Sequence, residues 1–201
     1  MIAPLILAFD TTAPHCAAAV VRGETVLASI EEPMAKGQAE CLLTLCQDML
    51  DGLGLQMSQL DAIGVGIGPG NFTGIRISVS AARGLALALD IPAVGVSAFD
   101  ALRLGTNHPC LCTVDARRDM VFAQGYDTAT LTDPALINQI ELPTSTPVIG
   151  AFGTPPLHPV AEAIAHITAA RFQTETAPPA PLYLRPADAA PARDAPPQIV
   201  P

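Results

Sequence analysis

Apolar residues follow two rhythms along this chain. Short apolar runs alternate with longer segments in which apolar residues return every three or four positions. The first rhythm reads as strand and the second as helix. Leu5 to Phe9, Cys16 to Val21 and Thr25 to Ile30 are strand-like, and Arg22-Gly23-Glu24 turns the second run into the third. Gln38 to Leu53 is helical, with Leu42, Leu45, Cys46, Met49, Leu50 and Leu53 at helical spacing. Asp61 to Ile67 returns to the strand pattern. Thr73 to Asp90 is helical again, and Asp90-Ile91-Pro92 ends it, because a residue before proline avoids the helical region. Pro92 to Val96 is a strand, and Ser97 caps a short helix holding Ala101, Leu102 and Leu104.

Near Thr106 the pattern starts afresh. Pro109 to Val114 is a strand ending in Asp115, and Asp119 to Tyr126 is its hairpin partner across Arg117-Arg118. This echoes the strand-Asp-turn-strand opening of the chain. Ala135 to Ile140 is weakly helical, Pro147 to Ile149 a short strand and Pro159 to Phe172 a helix. Hairpin-linked strands followed by crossover helices give mixed sheets with helices on their faces. The expectation is an α/β fold of two lobes, residues 1–105 and a reduced lobe at 106–185. A Pro/Ala-rich tail, 186–201, is expected to be extended or disordered.

The stretch IGPGNFTGIRIS, Ile67 to Ser78, joins a strand to the long helix. A turn of this kind can cradle a phosphate, hold a catalytic group or shape a surface for a partner. Pro69 and Gly70 force the turn, and Asn71 or Thr73 supplies the helix cap. The dinucleotide fingerprint needs glycine at its sixth position; counted from Gly68 that position is Thr73, and from Gly66 it is Asn71. A Walker loop needs a lysine here, and Lys36 is the only one in the chain. Tight packing and a ligand role both stay open. The helix that follows carries only Arg76 and Arg83 as charges, so it is either buried all round or covered on one face by another protein.

Composition narrows the classes. Half of the 201 residues are hydrophobic, yet tryptophan is absent and aromatics are few, so Ala, Leu, Val and Ile must build the core. A net charge of -9 argues against a broad nucleic-acid footprint, which needs a basic face. The chain's start lacks a secretion pattern, and no run approaches the roughly 20 apolar residues of a membrane span. A soluble, cytoplasmic protein without membrane contact is expected. Five cysteines without a Cys-x-x-Cys pair fit free thiols, with Cys110 and Cys112 as core residues on one side of a strand. The four histidines form neither His-x-x-x-His nor His-Glu-x-x-His, so a helical zinc site is not expected, nor is any cofactor.

Two lobes that each open with a hairpin beside an Asp-bearing turn resemble the actin/Hsp70/sugar-kinase superfamily, with its ribonuclease H-like lobes. ILAFDTTAPHCAAAV is similar to the opening of the bacterial TsaB (YeaZ) family. Gly68, Pro69, Gly70, Phe72, Thr73, Gly74 and Arg76 match that family's signature turn, usually written GPGSFTGLRIG. Pro92 to Ser97, Asp115-Ala116-Arg117 and Pro181-Leu182-Tyr183-Leu184-Arg185 fall where the family has similar segments. The resemblance implies a non-catalytic partner of TsaD in making threonylcarbamoyladenosine beside the anticodon of transfer RNAs. In that scheme TsaD carries the metal and the transferase site, and TsaE hydrolyses ATP. It also implies a TsaD-like partner and a TsaE-like ATPase reached through it; the acidic balance points to only indirect tRNA contact, and a self-complementary helical patch to a homodimer when the partner is absent. The first helix starts Lys36-Gly37-Gln38 where the family often has a polar Glu-His start, and the second lobe is short, with a helix expected to be missing after Tyr126.

Candidate sites follow from these readings. Asp10 and Thr12, with Asp115 and Arg117 from the second lobe, would form a vestigial nucleotide cleft. The rival reading is that Asp10 caps a turn and that Arg117 pairs with Asp115 on a solvated hairpin. Ala13-Pro14-His15 fills the first turn where superfamily ATPases place glycines, and proline removes an amide donor. Leu42, Leu45 and Met49 of the first helix, with Ser78, Ala81, Ala82 and Leu85 of the second, would form a four-helix contact with the partner. No catalytic residue is expected. The rival functions are an ATP-dependent phosphotransferase of the same superfamily and a glycoprotease-type peptidase.

Overall fold

In the computed structural model, which describes residues 3–175 and 177–185, two mixed sheets stand side by side. The tail expected at 186–201 lies outside the described residues. The first sheet is built from β1 (Leu5–Asp10), β2 (His15–Arg22), β3 (Thr25–Pro33), β4 (Ala62–Gly66) and β5 (Ala93–Val96), in the order β3-β2-β1-β4-β5. β1, β2 and β3 pair antiparallel as successive hairpins, whereas β4 and β5 join in parallel after helical crossovers. The second sheet holds β6 (Cys110–Asp115), β7 (Met120–Tyr126), β8 (Ala135–Asn138) and β9 (Val148–Gly150), in the order β8-β7-β6-β9. Each sheet thus opens with an antiparallel hairpin and gains a parallel strand, the repeated plan that the sequence predicts.

Side chains alternate across a strand, and β1 uses both of its faces. Leu5, Leu7 and Phe9 point to a core closed by α1 (Gln38–Gly52) and α2 (Phe72–Leu89). Ile6 and Ala8 point the other way, onto α4 (Val160–Arg171), where they meet Ile164 and Ile167. The sequence reading assigned α4 to the second lobe. It instead lies across the first sheet, against β1, β2 and β4. The physical reason is β1 itself: a strand apolar on both faces needs a layer on each side. Ala17, Ala19 and Ala161 keep the contact between α4 and β2 close. The short α3 (Ala98–Arg103), through Phe99, packs against the second sheet, where Cys110 and Cys112 are buried as expected.

One further expectation is corrected, and one left open is narrowed. Ala135 to Ile140 forms β8 and a single 3-10 turn rather than a helix, because pairing with β7 outweighs a weak helical pattern. α2 is not buried all round. It seats Ile75, Ser78, Val79 and Ala82, but only 28% of its length is buried. Among the described residues it is also the one helix long and apolar enough to cross a membrane. Asn71 is its cap, with the side-chain oxygen accepting the Gly74 amide at 2.9 Å. The two sheets are tied by Asp100 of α3, which accepts Tyr126 Oη of β7 at 3.0 Å and lies 3.4 Å from Arg171 of α4.

Candidate functional site

Two turns of the first lobe are locked to each other. β1 ends in Asp10 and the chain turns through Thr11 to Pro14 into β2. The signature turn after β4 packs against this first turn. The Asn71 amide donates to the Thr12 carbonyl at 2.6 Å, and the Thr11 hydroxyl donates to the Gly74 carbonyl at 2.7 Å. A Cβ on Gly74 would collide with the Thr11 carbonyl, and a Cβ on Gly66 with the Asp10 carboxylate. The space that a phosphate would need at these glycines is therefore filled by protein backbone and by Asp10. Ser78, in the second turn of α2, fixes the helix to its strand by donating to the Gly66 carbonyl at 3.0 Å. Gly68, Pro69, Gly70, Phe72 and Thr73 complete the turn, with a cis bond between Gly68 and Pro69.

Asp10 is only 1% exposed and its oxygens are already engaged. One accepts the Thr12 amide at 2.8 Å and faces His15 Nε2 at 2.7 Å, and the Thr12 hydroxyl lies 3.0 Å from both. His15 Nδ1 lies 3.4 Å from Glu31, so the ring bridges two acids. Burial of this ring lowers its pKa, but the hydrogen bond and charge of Asp10, joined by Glu31, outweigh that effect and shift it upward. The sequence reading placed His15 in the turn but missed its pairing with Asp10; the signal was its place five residues after the aspartate.

The structure brings Thr12, Asp115 and Arg117 together across an interlobe cleft of ≈ 340 Å³. Asp10 lines an adjoining, smaller cavity of ≈ 230 Å³ with His15 and His158, and Thr12 and Asp115 border both cavities. Asp115 and Arg117 do not form a side-chain ion pair among the described residues. The link runs through the backbone, with the Arg117 amide donating to Asp115 Oδ1 at 2.7 Å. Arg117, Arg118 and Asp119 are three successive non-glycine residues with positive φ, 61, 53 and 60 degrees. Such conformations cost free energy and persist only where the surroundings enforce them.

The third wall was missed in the sequence, although Pro181 to Arg185 stood out as a segment. This strap returns from α4 between the lobes. The Leu182 amide donates to the Ile67 carbonyl at 2.8 Å, and Arg185 Nη2 donates to the Ala116 carbonyl at 3.1 Å. Tyr183 packs on Phe72 with ring centroids 4.9 Å apart.

The expected partner residues divide by depth. Leu42, Leu45, Met49, Ser78 and Ala82 are buried within the chain's own core, whereas Ala81 and Leu85 are half-buried. The apolar side chains that α1 and α2 leave outside are Leu43, 47% exposed, and Leu87, 85% exposed. The wide apolar stripe of α1 is consumed by the sheet and by α2, so the available surface lies one position further round the helix.

The family model described as TsaD: tRNA N6-adenosine threonylcarbamoyltransferase matches residues 26–144. An uncharacterised protein of Mycobacterium tuberculosis is 33% identical over 198 residues, 92% of this chain and 94% of that protein. The tRNA threonylcarbamoyladenosine biosynthesis protein TsaB of Escherichia coli is 33% identical over 126 residues, which is 60% of this chain and 54% of that protein. The solved structure of YeaZ from Pseudomonas aeruginosa superposes with a TM-score of 0.70 at 26% identity, covering 90% of this chain and 100% of that one.

Proposed function

The chain belongs to the TsaB (YeaZ) family, and from that membership we propose that it is a scaffold subunit in tRNA threonylcarbamoyladenosine biosynthesis, supporting a TsaD-like transferase without chemistry of its own. One observation carries the non-catalytic part. Asp10, the acid placed to hold a metal-phosphate group in a phosphotransferase, has both carboxylate oxygens engaged by Thr12 and His15, and backbone fills the glycine turn beside it. A phosphate nest depends on free amide donors, and the Asn71 amide is already spent on the Thr12 carbonyl.

The partner surface in this reading is the outer face of α1 and α2, centred on Leu43 and Leu87, with half-buried Ala81 and Leu85 beneath. Small residues such as Ser80, Gly84 and Ala88 on the exposed side of α2 let another helix approach closely. The same face is open to a second copy of the chain when the transferase is absent, since a two-fold contact needs one self-complementary patch. A TsaE-like ATPase would be reached through the transferase. The chain's role is cytoplasmic in this reading, because its tRNA substrate complex is.

Reconstitution is the test. The chain is expected to co-purify with its TsaD-like partner and to restore modification in an extract depleted of it. Leu43→Glu and Leu87→Glu are expected to abolish both with the circular dichroism spectrum unchanged. A chain that neither binds the partner nor restores modification refutes the scaffold reading, and loss of neither function in either variant moves the interface elsewhere.

A further inference from the structure

The two sheets have four outer edges, and three of them are short or closed. β5 has four residues and is largely buried, and β8 has four, all half-buried. β9 has three, and its own chain returns along it: the Thr154 amide donates to the Val148 carbonyl and the Gly150 amide to the Thr154 carbonyl, both at 2.8 Å. β3 is different. It runs for nine residues, and all but Leu27 and Ala28 are exposed. A strand of that length presents an edge of about 30 Å. Among the described residues its backbone bonds only to β2, so the N–H and C=O groups on its other side have no protein partner. An edge of this kind is a template for a further strand.

The register of β3 beside β2 sorts its side chains. Glu32 and Ile30 lie opposite Cys16 and Ala18, on the α1 side of the sheet. Glu31 and Val26 lie opposite Ala17 and Val21, on the α4 side. Each face therefore offers an incoming strand one exposed apolar neighbour and one carboxylate beyond it. β3 itself carries no base, and the nearest in sequence, Arg22 and Lys36, lie outside it. Glu31 is shared with His15 at 3.4 Å. Glu32, and Glu24 in the preceding turn, have no ion-pair partner among the described residues. A second copy is a poor occupant. Two β3 edges related by a two-fold axis pair antiparallel, and centring the uncharged run Thr25 to Ile30 on itself sets Glu24 of each copy against Glu31 of the other. Like charges directly opposite are destabilising, and opposite charges reverse the sign. We propose that β3 is a docking edge for an extended, basic segment of a partner protein, which adds as a sixth strand of the first sheet with Lys or Arg side chains at Glu31 and Glu32. α2 packs over β1, β4 and β5, so a strand added at β3 leaves the outer face of α2 clear.

Fluorescence anisotropy of the full chain with the labelled peptide KRVTVTVK tests this. Antiparallel addition sets its first two residues against Glu32 and Glu31 and its valines against Ile30, Ala28 and Val26. Saturable binding is expected, weakened by salt, with slower amide hydrogen exchange confined to β3. Two control peptides are EEVTVTVE, and KRVTVTVK with the amides that face β3 N-methylated. Each is expected to bind about tenfold more weakly or worse, the first through repulsion and the second through lost ladder bonds. Glu32→Lys should weaken KRVTVTVK about fivefold and strengthen EEVTVTVE, with an unaltered melting temperature showing that the variant is folded. No saturable binding, equal binding of the basic and acidic peptides, undiminished binding of the methylated one, or protection outside β3 overturns the proposal. Co-purification with the transferase and tRNA modification are separate readouts, so failure here leaves the scaffold reading standing.

Discussion

Arg76 and Tyr183 meet across 107 positions of sequence, with the arginine Nε donating to the tyrosine hydroxyl at 3.0 Å. The same guanidinium lies 3.9 Å from the centre of the Phe72 ring. Arg76 is one of only two charges in the helix that follows the signature turn. Its counterparts are aromatic, and they fasten the strap to the first turn of α2. Tyr183→Phe removes the hydrogen bond and keeps the contacts of Arg76 with the rings; Arg76→Ala removes the hydrogen bond and those contacts, and leaves only the Phe72–Tyr183 ring pair. Limited proteolysis within 177–185 is expected to accelerate slightly in the first variant and markedly in the second. Equal resistance in both would show that the strap is held elsewhere.

Gly74→Ala tests whether the signature turn is a packing joint. Its Cβ has nowhere to go except into the Thr11 carbonyl, so the two turns must separate. Overpacking of this kind costs about 1–3 kcal/mol, measurable as a lower denaturant midpoint. An unchanged midpoint would mean that the joint is loose.

His15 makes stability depend on pH. Its pKa in the folded chain is raised from 6.5, the ordinary value, because Asp10 and Glu31 together outweigh burial. A group with a raised folded pKa contributes stability that is fully present below the unfolded value and is lost as pH rises through the folded one. The wild type should therefore lose stability relative to His15→Gln as pH is raised from below 6.5. A difference between the two proteins that stays constant over this range would contradict the pairing.

Leu43 and Leu45 separate surface from core on one helix. Leu45 is 8% exposed and Leu43 is 47% exposed. Leu45→Glu is expected to destabilise the fold by about 3 kcal/mol or more, since a carboxylate would be buried without a partner. Leu43→Glu should leave the melting temperature within a degree or two of wild type, as surface changes usually do. Equal melting temperatures for the two variants would refute this assignment of faces.

Thiol labelling reads the same core independently. Burial, reinforced by neighbouring thiols, pushes Cys16 and Cys46 up to about 12. Cys110 and Cys112 are buried as well, and Cys41 alone is half-buried. In the native chain Cys41 should be alkylated first, and the other four only on unfolding. Rapid native labelling of Cys16 would contradict the packing of β2 against α1.

By itself the sequence determined whatever depends on neighbours along the chain. The strands and helices of the first lobe, a polar cap at Asn71 or Thr73 and the mismatch to nucleotide fingerprints are local, because period and turn chemistry act over a few residues. The tertiary structure alone decided how much of the apolar stripe of α1 is core and left Leu43 outside it. It also carried α4 onto the first sheet, since β1 demands cover on both faces. The same holds for the site. Asp10 is written plainly in the chain, but its pairing with His15 depends on the register of β2 beside β1. The cleft needs Arg117 and Arg185 brought together by the strap, and such contacts between distant residues leave no periodic trace.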